Sequence, residues 1–127
     1  MRLVVVVEDD PASQKTIAPV LRAGGFRAAI YQSAEDYLAA PPASSAVAIL
    51  IDVHLGGMSG LELQGRLRSD GSTLPVIILT GFDDARTRAQ AERLGCVAYL
   101  RKPGEAETIL ALLGRLAATS QASDGVK

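Results

Sequence analysis

The stretch ILIDVHLGGMSG, residues 49–60, begins with three aliphatic residues, reaches an acid at Asp52 and continues into a pair of glycines. With the two apolar residues before it, the aliphatic run covers Val47–Ile51. Continuous Val, Ile and Leu runs of this length are typical of strands that are buried on both faces, as in parallel sheets. The glycines and Ser59 are typical of a turn that leads into a helix. The stretch therefore predicts a central strand whose carboxyl end presents Asp52.

Two further strands are predicted before this run and two after it. The five predicted strands are Leu3–Val7, Arg27–Tyr31, Val47–Ile51, Val76–Leu79 and Val97–Leu100. Helices are predicted over residues 11–23, from Ser33 to before Pro41, from Ser59 or Gly60 through Leu67, from Asp83 or Asp84 to before Gly95, and from Glu105 to about Ala117. Strand and helix alternate five times, which predicts an α/β fold, a doubly wound (βα)5 sandwich with a five-stranded parallel sheet.

The composition favours a single domain and excludes some classes of function. The chain has 127 residues, 48% of them hydrophobic, and a formal net charge of -1. Because there is no basic excess, direct binding of nucleic acid is not expected. No apolar run approaches the roughly 20 residues that span a bilayer. Cys96 is the only cysteine, which fits a reducing compartment. We therefore predict a cytoplasmic protein that does not contact the membrane.

Acidic, hydroxyl and amine side chains stand at the carboxyl ends of four predicted strands. Glu8 and Asp9 follow the first strand, Asp52 the third, Thr80 the fourth, and Lys102 lies just beyond the fifth. Ligands of open α/β sheets bind beyond the carboxyl ends of the strands. These five side chains are therefore expected to meet in one crevice.

The acids of this crevice need a counter-charge. Two carboxylates about 5 Å apart repel each other by roughly 3 kcal/mol at an effective dielectric constant of about 20. A lysine and a divalent cation would supply the positive charge. Because the candidate ligands are hard oxygens without a cluster of His and Cys, Mg²⁺ is the predicted cation. This combination predicts phosphoryl transfer to a carboxylate.

Four segments together resemble the receiver domain of two-component response regulators. They are VVEDD at residues 6–10, ILIDVHLGGMSG at 49–60, VIILTG at 76–81 and YLRKP at 99–103. Each segment alone is a weak signal, but their order and spacing match the family over about residues 2–118. The resemblance implies a flavodoxin-like fold, with a receiver domain at residues 1–118 and a flexible C-terminal tail at residues 119–127.

The resemblance also implies a role for each residue of the predicted site. Asp52 is the implied phosphoacceptor, Thr80 donates its hydroxyl to the phosphoryl group, and Lys102 pairs with a phosphoryl oxygen. The implied ligands of Mg²⁺ are Glu8, Asp9, Asp52 and the backbone carbonyl of His54. Tyr99 matches the aromatic switch position, whose ring turns inward when Thr80 is drawn toward the phosphoryl group.

The implied activity is signalling, and the chain is not expected to be an enzyme beyond its own phosphorylation and dephosphorylation. The phosphoryl group would come from a histidine kinase or a phosphotransfer protein. A second copy of the chain or an effector would bind the face built from the fourth helix, the fifth strand and the fifth helix, roughly residues 84–117.

Three positions next to the site modify this expectation. Gly56 stands where the family usually has proline, which predicts a more mobile loop. Gly104 stands where the family usually has an aromatic residue, which predicts a looser start of the fifth helix. Phe82 occupies a variable position, where its ring is expected to hinder attack by water and lengthen the phosphoryl lifetime.

Two other functions and two simpler roles stay open from the sequence. A receiver-like interaction module without phosphorylation would not require all five predicted side chains, which are present. A metal-dependent hydrolase similar to the haloacid-dehalogenase phosphatases would carry a second acid two residues after the nucleophile, where this chain has His54. Tyr99 also fits an ordinary half-buried strand tyrosine, and the His54 side chain fits a surface histidine.

Overall fold

The predicted parallel sheet is confirmed. The computed structural model describes residues 2–41, 45–102 and 106–125, with side chains described up to Thr119. The strands are β1 (Arg2–Val7), β2 (Phe26–Tyr31), β3 (Ala46–Asp52), β4 (Val76–Thr80) and β5 (Ala98–Arg101). They form one sheet in the order β2-β1-β3-β4-β5, and every pairing is parallel. This order is the flavodoxin-like one, in which the chain direction across the sheet reverses next to β1.

Five helices connect and follow the strands, as the alternation predicts. They are α1 (Pro11–Ala23), α2 (Ala34–Ala39), α3 (Gly60–Ser69), α4 (Ala85–Arg93) and α5 (Ala106–Gly125). The first four helices begin at side-chain caps, formed by Asp10, Ser33, Ser59 and Asp84. At α3, Ser59 and Glu62 form a reciprocal capping box. These caps satisfy backbone donors that would otherwise lack partners in the first turn.

The sheet is buried on both faces because its strands alternate between two apolar clusters. On one face, Val5, Val7, Ile49 and Ile51 pack with residues from α2, α3 and α4. On the other face, Val4, Val6 and Leu50 pack with α1 and α5 through Leu21, Ile109 and Leu113. Fully burying one such aliphatic side chain stabilises the fold by about 1.5–3 kcal/mol. Burial on both faces makes the central strands rigid supports for the groups at their carboxyl ends.

Several element boundaries differ from the prediction by one residue, and the end of the fifth helix differs by more. The predicted end of the fifth helix, near Ala117, is wrong because α5 continues to Gly125. No proline or glycine, the two strongest helix breakers, lies between Arg115 and Asp124. The fifth strand begins at Ala98, and Val97 is 46% exposed, so its apolar side chain does not belong to the core.

Some predictions fall outside the described residues or stay untested. Gly104 and the predicted start of the fifth helix at Glu105 lie outside them. The division into a domain at residues 1–118 and a flexible tail at 119–127 stays a prediction. Within the described ranges, no helix combines the length and the apolar composition needed to cross a membrane.

Candidate functional site

Three carboxylates meet at the carboxyl edge of the sheet. Val7 pairs with Ile51 and Asp52 with Leu79, so the strand register brings the ends of β1, β3 and β4 level with one another. One carboxylate oxygen each from Glu8, Asp9 and Asp52 lies within 4.8 Å of the other two. Glu8 and Asp52 are buried and Asp9 is exposed. The predicted acidic crevice is therefore present in the fold.

Lys102 supplies a positive charge to the two buried acids. Its ammonium donates to Oε1 of Glu8 and lies 3.4 Å from Oδ2 of Asp52. A further hydrogen bond reaches Oγ of Ser13 at 3.3 Å. The backbone N–H of Lys102 donates to the carbonyl of Thr80 at 2.7 Å, which fixes the residue beside the end of β4. The lysine is thus held by its backbone and by its side chain in the crevice.

The electrostatic balance of the crevice favours one more positive charge. Burial raises the pKa of Glu8 above its usual value, and the nearby Asp52 raises it further, although the Lys102 hydrogen bond acts in the opposite direction. Burial by itself lowers the pKa of Lys102, but the hydrogen bond to Glu8 and the charge of Asp52 outweigh it and raise that pKa. One ammonium therefore contacts two of the three carboxylates, and its single charge does not balance all three.

The donor set of this crevice fits a divalent cation of the Mg²⁺ type. All three side chains offer carboxylate oxygens, which are the ligands that hard cations prefer, and their mutual distances suit a shared ion. The exposed position of Asp9 leaves one side open to water, which Mg²⁺ tends to keep in its shell. Glu8, Asp9 and Asp52 are the side chains that would hold such an ion.

Thr80 lies at the end of β4, but its hydroxyl is directed along its own chain. Its Oγ1 donates to the carbonyl of Phe82 at 2.7 Å and accepts from the Phe82 N–H at 3.0 Å. The residue is fully buried. To reach a group bound to Asp52, the hydroxyl has to give up its bond to the Phe82 carbonyl.

Tyr99 is packed inward, on the face of the sheet that carries α4. The side chain is 7% exposed and belongs to the cluster that contains Ala91. The Arg88 guanidinium lies over its ring, 5.1 Å from the centroid. Its hydroxyl has no hydrogen-bond partner within the described part of the chain. Burial raises the pKa of Tyr99, with smaller contributions from the charges of Asp83 and Asp84. The role of Tyr99 as a switch stays a prediction.

The loop from β3 to α3 wraps around the carboxylates. The backbone N–H of His54 donates to Oδ1 of Asp52 at 3.2 Å, and the His54 side chain is exposed. The N–H of Gly56 donates to Oδ2 of Asp9 at 3.1 Å. Gly60, at the start of α3, lies so close to β3 that a Cβ atom there would be 2.1 Å from the carbonyl oxygen of Asp52. The loop is therefore tied to two of the three acids.

Sequence reasoning missed several residues that build the site. Gly60 and Ser13 contact site residues directly, Gln14 donates to the Glu8 carbonyl at 2.6 Å, and Glu35 binds the β3–α3 loop. For Gly60, the glycine at a helix start was the one available signal. Ser13 and Glu35 act through contacts with residues far away in sequence, and no local sequence pattern indicates any of the three contacts.

The crevice is open to ligands. A cavity of about 580 Å³ is lined by Asp52, Lys102 and Gly81 together with apolar side chains of α1 and α5 such as Ile17 and Ile109. A phosphate-bearing group can therefore approach Asp52 without displacement of the sheet.

The fold, the acidic crevice and its lysine define a phosphoacceptor domain of the receiver type. The sequence matches the response regulator receiver domain family over residues 4–114, so the chain belongs to that family. Receiver domains of this family serve phosphorylation-mediated signalling in two-component systems. The predicted family and fold class are thus confirmed, and the interpretation as a haloacid-dehalogenase-like phosphatase is wrong. The interpretation as a non-phosphorylated module is not favoured.

Particular relatives are transcriptional regulators. The chain is 31% identical over 110 residues to the transcriptional regulatory protein FixJ of Bradyrhizobium diazoefficiens, covering 87% of this chain and 54% of FixJ. It is 33% identical over 109 residues to the acid tolerance regulatory protein ActR of Sinorhizobium medicae, covering 86% of this chain and 56% of ActR. The chain thus spans about half the length of these relatives.

Solved structures show the same fold. The crystal structure of FixJ-N has a TM-score of 0.82 and 30% identity, covering 93% of this chain and 94% of that one. A response regulator receiver protein from Pseudoalteromonas atlantica has a TM-score of 0.87 at 20% identity, covering 93% and 98% of the two chains. The second likeness concerns the fold alone.

Proposed function

We propose that this receiver domain accepts a phosphoryl group on Asp52, with Mg²⁺ held by Glu8, Asp9, Asp52 and the backbone carbonyl of His54. The observation that carries the proposal is the cluster of three carboxylates, two of which, Glu8 and Asp52, contact Lys102. Mg²⁺, when bound, would neutralise charge on the phosphoryl oxygens. Autophosphorylation and slow dephosphorylation are the only reactions that we assign to the chain.

The chain's own groups divide the work of transfer. A carboxylate oxygen of Asp52 forms the new P–O bond as the P–N bond of a phosphohistidine donor breaks. The bonding pair stays on the imidazole nitrogen, which takes a proton from solvent. The Lys102 ammonium pairs with a phosphoryl oxygen, and Thr80 turns from the Phe82 carbonyl to donate to another. Positioning and charge stabilisation of this kind carry most of the rate in phosphoryl transfer.

The partners that we propose are a histidine kinase or phosphotransfer protein and an effector or second copy of the chain. The latter would bind the face formed by α4, β5 and α5, roughly residues 84–117. Movement of Thr80 toward the phosphoryl group would couple the site to this face through β5, which pairs with the end of β4 at Arg101. The single cysteine fits a reducing compartment, which supports cytoplasmic partners. Because the sequence has no excess of basic residues, we do not propose nucleic acid as a partner of this domain.

A transfer assay tests the proposed donor. The protein is mixed with a purified phosphotransfer protein that carries ³²P on histidine, with Mg²⁺ or with EDTA. Label is expected to move to this chain with Mg²⁺ and not with EDTA. The transferred label should be lost in alkali, as expected for an acyl phosphate at Asp52. Label that stays on the donor in both conditions would contradict the proposed donor class.

Replacing Phe82 with glutamate is expected to shorten the phosphoryl half-life. Phe82 follows Gly81, which lines the crevice, and its side chain is 66% exposed. An apolar ring cannot orient an attacking water, whereas a carboxylate can, so we expect the half-life to fall about tenfold, less than a well-positioned general base contributes. The half-life is followed by loss of label from purified phosphoprotein. Val97→Glu is the matched control, because it places the same charge on an exposed apolar position before β5. Equal half-lives for Phe82→Glu and wild type would reject the role of the ring.

A further inference from the structure

The β3–α3 loop, residues 53–59, is held by two carboxylates from other elements. Asp9, after β1, accepts from the Gly56 N–H at 3.1 Å. Glu35, in the first turn of α2, accepts from the Met58 N–H at 2.8 Å through Oε2. Glu35 is far from the loop in sequence and exposed, so this bond is a specific tertiary contact and not a helix cap. The loop is thus fastened at two amides two residues apart.

Gly57 lies between the two hydrogen-bonded amides of Gly56 and Met58, and its lack of a side chain leaves room for the Glu35 carboxylate. Its φ is +72°, a left-handed conformation that glycine adopts without the penalty of a side chain. A Cβ atom at this position would lie 2.7 Å from Oε2 of Glu35. The Met58 hydrogen bond lowers the pKa of Glu35, so the carboxylate stays ionised and accepting at neutral pH. The missing side chain at position 57 is therefore what allows Glu35 to approach the loop.

The loop needs these two hydrogen bonds because it contains two successive glycines, Gly56 and Gly57. Fixing the backbone of each costs about 1–2 kcal/mol of conformational entropy, and more for glycine than for other residues. The loop also includes His54, which lines the crevice and whose backbone N–H donates to Oδ1 of Asp52. Asp9 belongs to the three-carboxylate cluster and would share its oxygens with a bound cation, whereas Glu35 lies outside that cluster. Glu35 can therefore hold the loop whether or not a cation is bound.

We propose that Glu35 is a positioning residue that fixes the β3–α3 loop and so strengthens divalent-cation binding at Glu8, Asp9 and Asp52. The inference rests on the proposed Mg²⁺ site but concerns a residue that does not touch it. Outer residues that orient the groups of a metal site commonly change its affinity by about tenfold or more when they are replaced.

Amide hydrogen exchange of the metal-free protein tests the hydrogen bond from Met58 to Glu35 independently of any cation. Glu35→Ala is expected to speed exchange at Met58 by about tenfold, because the N–H loses a charge-assisted acceptor. Glu35→Gln keeps an acceptor oxygen and is expected to restore most of the protection. Asp36→Ala is the matched control, since it removes the same charge from the same helical turn and leaves the loop contact intact. Equal exchange at Met58 in wild type and Glu35→Ala would overturn the proposal.

Mg²⁺ titration by calorimetry then tests the consequence. Glu35→Ala is expected to weaken binding by about three- to tenfold, with Glu35→Gln within twofold of wild type. Gly57→Ala should weaken Mg²⁺ binding more in the wild-type background than in the Glu35→Ala background. In the Glu35→Ala background the new Cβ at position 57 no longer clashes with Oε2 of Glu35. If the wild type binds Mg²⁺ and Glu35→Ala binds it with the same affinity, the proposed role of Glu35 is overturned and the proposed Mg²⁺ site is not. Absence of binding by the wild type would instead defeat the proposed Mg²⁺ site, and this inference with it.

Discussion

Replacing Gly60 with alanine is expected to lower the free energy of unfolding by about 3 kcal/mol, a large fraction of the stability of a small domain. The added Cβ would lie 2.1 Å from the carbonyl oxygen of Asp52, 2.8 Å from its carbonyl carbon and 2.9 Å from Cα of Val53. All three are backbone atoms at the end of β3, which is paired on both sides and cannot yield as a flexible side chain would. The substitution should also displace Asp52 and slow phosphorylation.

Gly65→Ala provides the matched control within the same helix. A Cβ at this position meets no atom within 4 Å, and alanine is favoured over glycine inside a helix by about 1 kcal/mol. Urea denaturation of both variants should therefore give changes of opposite sign. If Gly60→Ala unfolded at the wild-type urea concentration, the close approach of α3 to the phosphoacceptor strand would be contradicted.

Replacing Lys102 with methionine is expected to slow phosphoryl transfer by roughly a hundredfold or more, as with the loss of other preorganised charges aimed at a transition state. The variant removes the ammonium that contacts Glu8 and lies 3.4 Å from Asp52, while methionine keeps most of the side-chain volume. Glu8, only 3% exposed, would lose its cationic partner, so its pKa should rise further. Initial rates with acetyl phosphate at saturating Mg²⁺ measure the effect.

Lys15→Met is the control for this experiment. Lys15 lies on the exposed side of α1, so its loss changes the net charge equally without altering the crevice. Its rate should equal that of wild type. A Lys102→Met rate within twofold of wild type, with the fold intact, would remove Lys102 from the proposed mechanism.

The strands and the acidic crevice could be predicted because each depends on a short local pattern. Apolar runs located all five strands, although the run at Arg27–Tyr31 is weaker and more polar than the others. Glu8, Asp9, Asp52 and Lys102 follow strand ends that a parallel sheet must bring together. The predicted start of the fifth strand was wrong, because Val97 continues the apolar run but lies exposed ahead of β5. Apolar character alone does not distinguish a buried valine from an exposed one.

Side-chain hydrogen bonds, tertiary packing and the exact end of a helix could not be predicted from the sequence. The direction of the Thr80 hydroxyl follows from its bonds to Phe82, and the burial of Tyr99 follows from its packing under α4 and Arg88. The bond from Met58 to Glu35 joins elements 23 residues apart without a motif. The late end of α5 was missed because its last residues are weak helix formers, and propensity is only a weak guide to a helix boundary.

Phosphorylation of Asp52 is the central claim, and the intact mass of the protein after incubation with acetyl phosphate tests it most directly. Wild type and Asp52→Asn are compared with Mg²⁺ and with EDTA. We expect a gain of one phosphoryl group, about 80 Da, in the wild type with Mg²⁺ and in none of the other three samples. A gain that persists in Asp52→Asn, or no gain in folded wild-type protein with Mg²⁺, would contradict it.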